Sequence, residues 1–396
     1  MRTAFLFNDD QAHQLAHALP VALALAEGGG PPPVIAVTTA ALAHEAERLA
    51  GAALARAGIR LVRLAPRRPH SALGLRLARD ASAARPLIYG DNLDFFASFE
   101  ALVVPECLST LLRTRHGLSG TRLILCAAGL EDLPDLAQHV LLFDQILAPG
   151  AAARDWLVER LGVAPARIAV IGDPRRDLAP PAPTLPWAAE DPRPLLLYSP
   201  SACARRSSWY GIGPDLLDWF AARATHRLIF APDPALFAKP FAPSATPLRL
   251  CRPAAISDAA WRSPALHIDL EGAALSDGSL ARAAHVLLGD SGPVITDFLA
   301  NPRPCLFLNP RRLDAASEPG LRAWQAGRVI ERLDQIGPAL AAAETRHRLG
   351  QPRRQRALLA ELVDPQPQPA RRAAAAIRSA GARPARIRTA TGLRAG

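Results

Sequence analysis

Lysine is almost missing from this chain: of 46 basic residues only Lys239 is one. Arginine used to this extent fits a GC-rich coding bias, so the arginine count alone says little about partners. Cysteine is sparse and scattered. Cys107, Cys126, Cys203, Cys251 and Cys305 form no C-x-x-C pair, which excludes a disulfide framework and a cysteine zinc site and fits reduced thiols. No apolar run approaches the roughly 18 residues of a spanning helix. The opening "MRTAFLFNDD" turns acidic too early for a secretory leader. Aromatic residues make up 5% and do not interleave with basic ones, so a base-stacking surface, and with it nucleic acid, is not expected. The expected location is the cytoplasm, peripheral on the inner face of the membrane. No cofactor and no metal cluster is expected.

What is present is apolar bulk and positive charge. At 396 residues and 49% hydrophobic content, the chain is long enough for two cores rather than one. The net charge of +10 favours anionic partners such as phosphates, nucleotides or acidic membrane surfaces. Part of it lies at the C-terminus, where Arg371, Arg372, Arg378, Arg383, Arg386, Arg388 and Arg394 occur without an acid. Such a stretch reads as a disordered, solvated tail. The functional reading beside it is an attraction to anionic lipid or a polyanionic acceptor, worth about 1 kcal/mol per arginine near such a surface.

Short apolar runs alternate with longer helical patterns. "TAFLF", "PVIAVTT", "IRLVRLA", "RPLIYG", "EALVVP", "TRLILC" and "QILAPG" read as strands of a first unit. "QAHQLAHALPVALALAEGG" and "AALAHEAERLAGAALARAG" read as helices between them. The proline-rich stretch 179–194 has no periodicity and reads as a linker. Alternation resumes with "LLLYSP", "HRLIFAP", "ALHIDL", "HVLLGD" and "RPCLFLNP". Strand and helix in steady alternation predict mostly parallel sheets. The expected division is a Rossmann-like domain over 1–178, the linker, a second Rossmann-like domain over 195–365, and a C-terminal helix with a basic tail over 366–396. Ligands of such folds lie at the carboxyl ends of strands, here in a central cleft that the two sheets face.

Three segments could carry chemistry. In "HVLLGDSGPVITDFLANPRPCLFLNP" a strand ends at Gly289 and Asp290, Ser291 and Gly292 turn into a short helix. Backbone N–H groups at such a turn bind phosphate, and Asp297 could accept from ribose hydroxyls. In "RTRHGLSGTRLILC", His116 beside Gly117 could be a general base or a phosphate contact. In "LLLYSPSACARRSSWYGIG", the loop after the strand offers Arg205, Ser207 and Ser208 to phosphate. Each has a plainer reading: an ordinary strand-to-helix turn, a surface-loop histidine, a solvated loop. A fourth stretch, "VIGDPRRDL", is odd because few turns need two arginines bracketed by Asp173 and Asp177.

Together and in this order, these motifs resemble the CDP-glycerol glycerophosphotransferase family, the teichoic-acid-type polymerases and primases of GT-B fold. "GDPRRD" resembles that family's G-x-P-R-x-D turn, "LLYSPS" its Y-x-P-T strand end, His116–Gly117 its His-Gly, and "GDSGPVITDFLANPRP" its D-x-S-S segment. "FNDDQAHQLAHALPVALALA" resembles the N-terminus of a bacterial branch. The resemblance spans about residues 3 to 380. It implies a GT-B-like fold of two Rossmann-type domains. It also implies a transferase that moves glycerol phosphate or a sugar from a nucleotide-activated donor, such as CDP-glycerol, to a polysaccharide or lipid-linked acceptor hydroxyl of the cell envelope. His116 would be the base on the acceptor side or a phosphate contact. Asp290, Ser291 and Gly292 would hold the pyrophosphate, and Asp297 the ribose. Arg205, Ser207 and Ser208 would support the phosphates, and Arg175 would brace the hinge or reach the cleft. Two departures stand out. Asp233 takes the place of a family histidine, and Gly292-Pro293 replaces a serine pair. Asp-Ser-Gly also resembles the turn of UDP-N-acetylglucosamine 2-epimerases, so an isomerase, or a nucleotide-binding protein without turnover, is the alternative.

Overall fold

The computed structural model describes residues 1–8, 14–71, 81–126, 137–178, 182–238, 242–245, 248–316 and 318–381. The chain divides into two compact units. Met1–Ala179 and the segment from Val363 onward form the first, and Pro180–Leu362 forms the second.

In the first unit, β1 (Thr3–Phe7), β2 (Val34–Val37), β3 (Arg60–Arg63), β4 (Ala101–Val104), β5 (Arg122–Cys126), β6 (Gln145–Ala148) and β7 (Ile168–Val170) build one sheet. Their order is β3-β2-β1-β4-β5-β6-β7 and every pairing is parallel. β2 and β4 are unbroken apolar runs and β1 departs from one only at Thr3, as expected of strands covered on both faces, and each of their residues is buried. One face carries the helices Leu15–Glu27, Ala40–Arg56 and Pro369–Gly381. The other carries Ala81–Asp91 and Ala151–Glu159.

"RPLIYG" is not a strand but part of the helix Ala81–Asp91. Its buried residues, Ala84, Arg85, Ile88 and Tyr89, recur at helical spacing, which a short apolar run does not reveal. Residues 11–13, the start of the expected opening helix, lie outside the described residues.

The second unit contains β8 (Leu195–Ser199), β9 (Arg227–Phe230), the hairpin strands β10 (Ala242–Ala245) and β11 (Leu248–Cys251), then β12 (Leu266–Ile268), β13 (Val286–Gly289), β14 (Cys305–Leu308) and β15 (Arg328–Ile330). Its main sheet runs β12-β9-β8-β13-β14-β15, again all parallel. The hairpin and β15 were not expected from the sequence. The described part of the proline-rich stretch is not a free linker. Leu185 and Trp187 pack on the core of this unit, and the Trp187 indole donates to the Pro264 carbonyl at 2.8 Å.

Each sheet has one topological switch point, where successive strands part to opposite sides. In the first it lies between β1 and β4, in the second between β8 and β13. Doubly wound sheets hold their ligands in the crevice this opens at the carboxyl edge.

The segment 366–381 is not a solvated tail. The helix Pro369–Gly381 buries Ala370, Ala373, Ala374 and Ile377 against the Leu15–Glu27 helix. Two of its arginines are engaged in ion pairs, Arg371 with Glu27 and Arg372 with Asp364 at 2.7 Å. The "GDPRRD" turn is the seat of this helix. Asp177 accepts from the Ala370 N–H at 2.9 Å, and Arg372 donates to the Ile171 carbonyl. Gly172 adopts φ +87, and a Cβ there would lie 2.9 Å from the Arg372 guanidinium and 3.1 Å from the Asp364 carbonyl oxygen. Arg383, Arg386, Arg388 and Arg394 lie outside the described residues.

Candidate functional site

The carboxyl edge of the second sheet is organised by Asp290, the residue that follows β13. It is fully buried. One carboxylate oxygen accepts from the N–H of Ser201 at 2.8 Å and of Ser291 at 2.7 Å. The other accepts from the N–H and the hydroxyl of Ser208, at 2.6 and 2.8 Å. The Tyr198 hydroxyl lies 3.0 Å from that of Ser208; because Ser208 donates to Asp290, Tyr198 donates to Ser208. Burial pushes the Asp290 carboxyl up from its usual range, against the four donors that favour its charge. The backbone carbonyl of Asp290 accepts from the Trp324 indole. The loop after β8 and the turn after β13 are thereby tied across the switch point.

Beyond Asp290 the chain is open. Gly292 takes φ +120, with nothing within 4 Å of where a Cβ would stand. Its N–H has no hydrogen-bond partner among the described residues. Glycine is required here by backbone conformation rather than by crowding. Pro293 then caps the helix Val294–Leu299 without a side-chain bond. Asp297 sits in its first turn, half-buried against Gly278. Arg303 donates to the carbonyls of Ala281 at 2.8 Å and Arg282 at 3.1 Å and stacks on Phe298 at 4.0 Å, so the Arg-Pro of the motif is a brace.

Other expected residues are engaged within the protein. Ser207 and Ser208 are fully buried. The Ser207 hydroxyl accepts from the Trp209 N–H at 3.3 Å, so neither hydroxyl faces solvent. Arg205, exposed at the rim, pairs with Glu318. Asp233, just past β9, donates its N–H to the Pro200 carbonyl at 2.9 Å and accepts from the Ala235 N–H at 2.9 Å. A carboxylate therefore stands beside the loop that Asp290 holds.

Arg175 and His116 belong to the first unit. Arg175 is buried and bonded to Asp173 through Nε at 3.2 Å and Nη2 at 2.7 Å. The His17 ring stands 3.8 Å from the same carboxylate. Burial works against the charge of Asp173, yet Arg175 and His17 hold its carboxyl well below the usual range. His116 lies on the connection from β4 to β5. Its ring packs where a Cβ on Gly90 would come within 3.2 Å and meets the edge of Tyr89. Burial and the neighbouring Arg115 lower its pKa. Its Nε2 is buried with no partner among the described residues.

The first sheet's switch point holds a polar cluster that the sequence did not reveal. Glu106, two residues past β4, accepts from Asn8 at 3.2 Å, from the Leu108 N–H at 2.5 Å, from the Ser109 N–H at 3.2 Å and from the Ser109 hydroxyl. Arg85 stands 3.7 Å from the carboxylate. Tyr89 bonds Asn8 and Ser109 through its hydroxyl. The signal, an acid just past a buried strand with a serine three residues on, is weak without the fold.

Among the described residues no group of three or more His, Cys, Asp or Glu side chains could hold a metal ion. No helix there is long and apolar enough to cross a membrane.

No family model matches this sequence, and no curated protein does. Solved structures do. The UDP-GlcNAc 2-epimerase of Neisseria meningitidis bound to UDP-GlcNAc aligns over 96% of this chain and 99% of its own, at 14% identity and a TM-score of 0.54. S. aureus MnaA in a co-structure with UDP aligns over 96% and 95%, at 13% and 0.56. A variant of the wall teichoic acid polymerase TagF, soaked with CDPG, aligns over 96% and 88%, at 11% and 0.54. At these identities the likeness concerns architecture, and it agrees with the two parallel sheets: the chain has a GT-B-like fold.

Proposed function

We propose that the chain is a transferase that binds a nucleotide-activated donor of the CDP-glycerol or nucleotide-sugar class at the switch point of its second unit. It would pass the glycerol phosphate or sugar to a hydroxyl of a polysaccharide or lipid-linked acceptor. For glycerol phosphate, the acceptor oxygen forms a bond to phosphorus, the bond to the departing nucleotide breaks, and the acceptor hydroxyl loses its proton. The observation that carries this reading is the Ser291–Gly292 turn at the carboxyl edge, where the Gly292 N–H has no partner among the described residues and the space about its Cβ position is open. Structural neighbours solved with UDP-GlcNAc, UDP and CDPG support it. The Gly292 N–H would meet a phosphate oxygen, Asp297 the ribose, and Arg205 would exchange Glu318 for phosphate. Ser207, Ser208 and Asp290 would act behind the seat. His116, with its ring against Gly90 and Tyr89 and its Nε2 buried, would serve packing rather than catalysis.

Asp-Ser-Gly also favours a second reading, 2-epimerisation of UDP-GlcNAc, which needs acid–base groups in the first unit. Glu106, the carboxylate at that switch point, is taken up by internal donors. Asp233, a like charge beside the phosphate seat, favours binding without turnover. Thermal-shift titration with CDP-glycerol, CDP, UDP and UDP-GlcNAc tests the common part, since a ligand at 100 times its Kd stabilises by about 2.7 kcal/mol. Product analysis then separates transfer, epimerisation and plain binding. No shift with any of the four would remove the reading.

A further inference from the structure

The two switch points are built on one device. In each unit a buried carboxylate past the strand on one side of the crevice binds a serine through both its N–H and its hydroxyl. In each, that hydroxyl also meets a buried tyrosine: Glu106, Ser109 and Tyr89 in the first unit, Asp290, Ser208 and Tyr198 in the second. In each, the carboxylate also binds the segment past the strand on the other side, through Asn8 after β1 and Ser201 after β8. The two differ in their surroundings. The first clasp keeps its donors to itself and has Arg85 beside it. The second is bonded by three N–H groups and one hydroxyl, and one of those N–H groups belongs to Ser291, next to the open Gly292.

We infer that Asp290 is a positioning residue for the phosphate seat. It touches no ligand, since both oxygens are occupied and buried. It fixes the Ser201–Ser208 loop and the Ser291–Gly292 turn in one register, so that the Gly292 N–H and the rim of the loop converge on the same anion. This rests on the function proposed above. An asparagine cannot replace it, because all its partners donate and an amide NH2 would face one of them as a second donor. At least one of the two segments then comes loose, and the seat loses its geometry while the sheet beneath survives.

The test compares four full-length chains: wild type, Asp290→Asn, Ser208→Ala and Glu106→Gln. The dissociation constants of CDP and UDP are measured by calorimetry well below each unfolding midpoint. Hydrogen exchange is followed at the Ser201, Ser208 and Ser291 amides. Asp290→Asn should weaken the nucleotide that wild type binds by about tenfold or more, and Ser208→Ala by severalfold. Both should speed exchange at those amides. Glu106→Gln, the same lesion in the other unit, should lower the midpoint and leave the dissociation constant within about twofold, which general loosening would not do. Equal affinity in folded Asp290→Asn and wild type overturns the inference, as does an equal loss in Glu106→Gln. If Asp290→Asn does not fold, unchanged affinity in Ser208→Ala overturns it. A wild-type chain that binds neither nucleotide overturns the functional reading first, and this inference with it.

Discussion

Asp173 shows how one residue serves both fold and pH response. Replacing it by asparagine removes the carboxylate that Arg175 is bonded to in a buried setting. Breaking such a pair costs about 3–5 kcal/mol, to be read from urea unfolding at neutral pH. Its folded pKa lies below the unfolded value of about 3.9. Its stabilisation is therefore complete above about pH 4 and lost as pH falls toward the folded value, so Asp173→Asn should flatten that acid limb. At the candidate site, Asp297→Ala should weaken nucleotide binding by about 1.5–3 kcal/mol if its carboxylate takes ribose hydroxyls; affinity within twofold of wild type would remove it from the site. For His116 the expectation is small. A positioned base is worth about 10²–10⁴ in rate, and a ring packed on Gly90 and Tyr89 should fall far short of that. A rate loss of 10² or more in His116→Ala, with donor affinity unchanged, would restore it as a base.

Among the elements, the helix Pro369–Gly381 is the most exposed to test. Ile377 is fully buried in the first unit's core, so Ile377→Asp buries an unpaired charge that the helix escapes only by undocking. Calorimetry should show the first unit's transition falling while the second unit's stays. A common shift of both would mean the units unfold as one. What could be read from sequence divides along the same line. β1, β4, β8 and β13 were legible because strands buried on both faces are unbroken apolar runs. "RPLIYG" was not, because four apolar residues suit a helix face as well as a strand. β15, three residues with an arginine among them, carries almost no pattern. "GDPRRD" stood out, but its reason did not, since Asp364, Pro369 and Arg372 arrive from far along the chain. Asp290 was legible as part of a turn, whereas its bond to Ser208 spans 82 residues and exists only after β8 and β13 pair.

At the scale of the molecule, the net charge of +10 is expected to matter most through the four arginines from Arg383 onward. Removing residues 382–396 should leave the unfolding midpoint in place and weaken binding to anionic vesicles, by about 1 kcal/mol per arginine that reaches the surface. High salt should abolish the difference. Vesicle binding equal to that of the full chain would leave these arginines without that role. The division of the chain has another consequence, one that concerns its synthesis. The first unit's seven strands are all made by residue 170, yet Ala370, Ala373, Ala374 and Ile377, which close its core, leave the ribosome only after the whole of the second unit. The second unit is contiguous and has all it needs by Leu362. Domains generally fold in order of emergence, but here the first to emerge is the last to be finished. A nascent chain halted before residue 370 presents the Leu15–Glu27 helix with one apolar flank uncovered, a surface on which a chaperone would act until the helix Pro369–Gly381 emerges and closes it.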